Sequence, residues 1–137
     1  QYTAMKVLRR INFAGLAVLA ALPMLPARAE VIPLPSGMTV SALDVITDAP
    51  GLGVAYRFRF VADALDPAQD YATTEADMAH LCRSYALKVV EAVEPPPDAI
   101  VITLADKAVP FGSTDPDAVQ FFEAYRPVDG DCEWQAF

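Results

Sequence analysis

The alternation of apolar and polar positions is clearest near the middle of the chain. The stretch MTVSALDVIT reads as a strand, and DAPGLG at residues 48–53 reads as a turn. In VAYRFRFV, Val54, Tyr56, Phe58 and Phe60 then face one way while Arg57 and Arg59 face the other. A hairpin that pairs Asp48 with Gly53 sets Leu43 opposite Phe58, Val45 opposite Tyr56 and Asp44 opposite Arg57. Apolar meets apolar and acid meets base in one register. Beyond the acidic loop DALDPAQD the period changes to helical: Met78, Leu81, Cys82, Tyr85 and Val89 share one stripe, with Thr74 as the expected cap and Asp77 completing a capping box.

The prolines of EPPPD, residues 94–98, end that helix. AIVITLA, from Ala99 to Ala105, is nearly all apolar and rich in branched residues, as a central strand should be. Asp115 followed by Pro116 predicts the start of a second helix running to about Tyr125. Asp129-Gly130 makes a turn, and CEWQAF closes the chain as a strand with Cys132, Trp134 and Ala136 on one face. The expected fold is a small single α+β domain, a mainly antiparallel sheet of about four strands with two helices in the order β-β-α-β-α-β.

The start of the chain has a different character. Read from Met5, it offers Lys6, Arg9 and Arg10, then an unbroken apolar run from Phe13 to Leu22, then Ala27-Arg28-Ala29 ahead of Glu30. These three parts match a cleaved secretory signal peptide over residues 5–29, with the mature domain spanning 30–137. Residues 1–4 read as upstream codons outside the protein proper. A membrane-spanning helix would need about 20 apolar residues, and Pro23 and Pro26 stop the run early. Ordinary export suits the chain better than the twin-arginine route, since Phe13 stands one place too far along for that motif. The expected location is the periplasm, or outside the cell.

From Glu30 onward, eighteen acidic residues face only six basic ones, a balance of −12. Such a surface repels phosphate backbones and anionic headgroups, which argues against nucleic-acid and electrostatic membrane binding. It serves solubility, or it attracts a cationic envelope protein. In an exported domain, the two cysteines read as a Cys82–Cys132 disulfide, because a metal or redox site would want a C-x-x-C pair that is absent. No cofactor or metal is expected.

The phrases LPSGMTV, LCRSYAL, ADKAVPFG, VQFFEAYRP and DGDCEW resemble a family of short exported alphaproteobacterial proteins known only as a domain of unknown function. The likeness spans most of residues 33–137. It implies export and a shared fold, and it carries over no catalytic residue.

Chemistry has few candidates. His80 is the single histidine and lies with Ser84 on the expected solvent side of its helix, weak grounds for a nucleophile and base. Arg57 and Arg59 project from one strand face and could bind an anion or pair with neighbouring acids. Asp129, Asp131 and Glu133 alternate like the first ligands of a calcium loop, but that loop's glycine and terminal glutamate are missing. Phe121 and Phe122 cannot both lie on one narrow helical stripe, so Phe121 is a candidate exposed contact. The expected function is a non-enzymatic protein-binding or accessory module. The alternative is a small hydrolase-like enzyme using His80 and acidic-loop residues.

Overall fold

A computed structural model describes residues 21–25, 29–49 and 53–136. Most of the run Phe13–Leu22, together with Ala27 and the tip of the 48–53 turn, lies outside the described residues; Ala29 and Glu30 are exposed. No helix among the described residues is long and apolar enough to cross a membrane.

Six strands form one curled mixed sheet, a half-barrel in outline. They are β1 (Val31–Pro33), β2 (Thr39–Ile46), β3 (Ala55–Val61), β4 (Ala99–Ala105), β5 (Gln120–Val128) and β6 (Asp131–Gln135), lying side by side in chain order. All neighbours are antiparallel except β3 and β4, which run parallel. A parallel pair needs a crossover, and one helical rod supplies it: α1 (Tyr71–Leu81) continues through a π-helical turn (Cys82–Ala86) into α2 (Leu87–Glu91).

The expected four-strand, two-helix fold is therefore corrected. Residues 120–128 are strand β5, where a helix to Tyr125 was expected. Pairing with β4 on one side and β6 on the other satisfies the β5 backbone from distant parts of the chain, which overrides a weak local helical preference. The short strand β1 also pairs with β2, where a Pro-rich entry gave no strand signal.

The β2–β3 hairpin forms, in a different register. Asp44 lies opposite Arg59, Val45 opposite Phe58 and Ile46 opposite Arg57, with an irregularity between Ala42 and Asp44. The pairs beside the turn are displaced by two residues from the expected ones, and the extra residue at Leu43, a bulge, reduces the displacement to one further along. Acid still meets base, but the base is Arg59.

One face of the sheet carries Val40, Phe58, Phe60, Ile100, Ile102 and Leu104, all essentially inaccessible, against Met78, Leu81 and Cys82 of the helical rod. Each such side chain contributes roughly 1.5–3 kcal/mol by burial. Tyr85 meets Phe58 and Phe60 edge-on, with centroids 6.2 and 5.4 Å away. The π turn adds one residue to the helical stripe, so Val90 is buried and the expected Val89 is exposed. The helix starts four residues earlier than expected: Asp70 caps it by accepting the Thr73 N–H, whereas Thr74 is buried in the first turn. Asp77 is likewise buried, and accepts the Ser36 N–H at 3.0 Å, tying the β1–β2 turn to the rod. Cys82 and Cys132 form the expected disulfide, joining the π turn to β6.

Candidate functional site

The two faces of the sheet have different covers. Alternation along β3 turns Arg57 and Arg59 away from the helical rod, and the loop of residues 106–119 folds over them. Arg59 is buried and fully engaged. Its Nε lies 3.2 Å from Asp44 Oδ1, its Nη2 donates to the Val109 carbonyl, and its guanidinium sits 5.8 Å from the centroid of the Phe111 ring. Arg57, two residues earlier on the same face, makes no ion pair or hydrogen bond with any described residue, and its Nε is shielded from water. Both arginines line a cavity of about 220 Å³.

A second polar cluster sits at the β5–β6 side of the opposite face. Glu123 is buried, and each prong of its carboxylate is held by one aromatic donor. The Tyr71 hydroxyl donates to Oε1 and the Trp134 indole to Oε2, both at 2.6 Å. Short bonds from an O–H and an N–H to a carboxylate are of the strong, charge-assisted kind. Tyr71 is 58% exposed and Trp134 51%, so the carboxylate lies beneath two rings that face solvent. Tyr125, opposite Trp134 in the ladder, is buried with its hydroxyl unbonded among the described residues. Burial and the charges of Glu123 and Glu75 push the Tyr125 phenol well above its usual range. The hydrogen bond to Glu123 raises that of Tyr71.

No cation pairs with Glu123 among the described residues. Arg83 is near, but its Nε binds Asp131 Oδ1 at 2.7 Å, which holds the Asp131 carboxyl below its usual value.

The two phenylalanines of β5 point to opposite faces. Phe121 is half-buried against the core, and the more exposed ring is that of Phe122, at the arginine pocket. The Ser84 hydroxyl donates to the backbone carbonyl of His80 at 2.7 Å, so it is not directed to the imidazole. Asp66 and Asp70 accept backbone N–H groups of their own turns. No group of three or more potential metal ligands occurs among the described residues. The aromatic donors Tyr71 and Trp134 and the loop residues Val109 and Phe111 were missed in the sequence. Trp134 alternating with Cys132 was the one available signal.

These features define a small, disulfide-tied domain: one mixed sheet, one helical rod, and charged groups unbalanced on each face. The chain belongs to a family of unknown function (DUF6497), whose model matches residues 16–137. No curated protein and no solved structure matches it significantly.

Proposed function

We infer that the protein is a non-enzymatic binding module of the cell envelope, exported and mature from Glu30, which recognises a cationic protein. The observation that carries this reading is Glu123, a buried carboxylate held, among the described residues, by neutral donors alone. Buried charges are ordinarily paired, because desolvation costs several kcal/mol per ion. Here the opposite charge is left to a partner. Tyr71 and Trp134 are large, half-exposed rings of the kind that anchor interfaces, and their faces also attract ammonium and guanidinium groups. The −12 balance of residues 30–137 supports long-range attraction of such a partner.

The test measures association of the full chain with a panel of basic proteins across a salt series. The on-rate should fall as the Debye length shrinks from about 30 Å at 0.01 M to about 10 Å at 0.1 M. Trp134→Ala and Glu123→Gln should speed dissociation about tenfold or more. A salt-independent on-rate rejects the electrostatic step, and failure of every basic protein to bind rejects the reading. Mass spectrometry of the natively exported protein should give Glu30 as the first residue; an intact Phe13–Leu22 segment would reject cleavage.

A further inference from the structure

We propose that the cavity over β3 and β4 is a binding site for a small organic carboxylate carried on an apolar body, with Arg57 as its anion-binding residue. This site lies on the other face of the sheet from Glu123, and it stands or falls independently of the cationic partner.

The two arginines differ in one respect that decides the assignment. Arg59 already has a carboxylate, a carbonyl and an aromatic ring around it, so it holds the 106–119 loop against the sheet and has little left to offer a ligand. Arg57 has the same charge and no acceptor at all among the described residues, although its Nε has lost contact with water. A guanidinium presents five N–H donors in a fixed fork that matches a carboxylate, and leaving a buried donor unsatisfied costs about 1–3 kcal/mol. An arriving carboxylate removes that cost and gains charge-assisted bonds.

The walls define the rest of the ligand. None of the described residues lining the cavity is acidic, so its local charge is positive in a chain that is otherwise strongly negative. Val101, Val109, Phe111 and Phe122 supply apolar surface beside Arg57, while Thr103 and Gln120 add polar groups. An inorganic anion would make no apolar contact with Val101, Val109 and Phe111, whereas an aromatic or branched monocarboxylate meets both the guanidinium and that apolar surface. The cavity, about 220 Å³, suits a small molecule and not a folded segment of protein.

The experiment titrates the full chain by nuclear magnetic resonance and calorimetry with phenylacetate, with its neutral isostere phenylacetamide, and with inorganic phosphate. Phenylacetate should bind and shift resonances of β3, β4 and residues 108–113, at least about tenfold more tightly than either comparator. Arg57→Gln should weaken phenylacetate about tenfold or more, and Arg57→Lys should weaken it less, since it keeps the charge but not the fork. Equal binding of acid and amide, or an unchanged affinity in Arg57→Gln, overturns the role of Arg57. Phosphate binding as tightly as phenylacetate overturns the apolar part, and no binding of phenylacetate overturns the site. The comparison of probes on the unmodified chain needs no variant to fold.

Discussion

Removing the Cys82–Cys132 bond tests the architecture most directly. The bond closes a separation of 50 residues, a loop that holds the end of the helical rod, β4, β5 and the start of β6. In the chain-entropy account, a cross-link of that span restricts the unfolded ensemble by about 4 kcal/mol. A small domain has roughly 5–15 kcal/mol in all, so the loss is a large fraction of its stability. The appropriate variant is Cys82→Ala with Cys132→Ala, because a serine would place a hydroxyl where the sulfurs are buried. Urea unfolding should show the variant destabilised by about 4 kcal/mol, with a melting temperature lower by on the order of 15 °C or more. The slope of free energy against urea should rise as the unfolded chain expands. Protection from amide exchange should fall first in β6, an edge strand that otherwise pairs with β5 and meets the rod through the exposed Arg83–Asp131 ion pair. A loss below about 1 kcal/mol would refute the argument, for it would mean that the unfolded chain is already as compact as the cross-linked one.

Two further outcomes follow from single groups. Tyr125 ionises later in the folded chain than an ordinary phenol, near 10, so the unfolded chain loses its proton first; stability is whole below about pH 10 and falls as pH rises toward the folded-state value. Tyr125→Phe should make that alkaline decline shallower, with Tyr71 and Tyr85 keeping their shares, and should alter neutral stability by less than about 1 kcal/mol because the hydroxyl bonds nothing described; an unchanged alkaline slope in urea titrations would refute it. Asp70→Ala removes the helix cap and should cost about 1 kcal/mol, while Asp70→Ser, which keeps a capping oxygen, should cost less; an unchanged urea midpoint in Asp70→Ala would refute the assignment.

What could be read from the sequence was what depends on neighbours in the chain. The alternation of β3, the continuous apolar run of β4 and the Asp129-Gly130 turn are local signals, and all appear where expected. The disulfide followed from two inward-facing positions and the expected compartment. The failures were non-local. In β5 the inward series Phe121, Glu123, Tyr125 contains an acid and the outward series contains Ala124, so the strand does not alternate by hydrophobicity. Glu123 belongs inside because Tyr71 and Trp134 reach it from 52 and 11 residues away, which no window of sequence reveals. The hairpin register was off by two residues beside the turn and by one beyond the bulge at Leu43, and the helical stripe slipped by one at the π turn. At the site, Arg57 and Arg59 were visible as a pair, but their difference was not. That difference arises from a loop carbonyl 50 residues away from Arg59.

The parallel pairing of β3 with β4 links the fold to both charged features. Because the crossover rod covers one face of the sheet, the connection from β4 to β5 is free to cover part of the other, and it closes over β3 at the point where the arginines emerge. The burial of Arg59 and the shielding of the Arg57 Nε are thus products of topology, since the same residues on a hairpin open to water would be solvated and ordinary. Strand alternation then keeps Arg57 and Glu123, neither of which has an ion-pair partner among the described residues, on opposite faces of one sheet, so they cannot neutralise each other. At Glu123 an apolar residue of similar size would suit folding at least as well, since a buried charge without a counterion opposes stability. Folding alone therefore gives no reason for a carboxylate at position 123, and the proposed cationic partner would supply one.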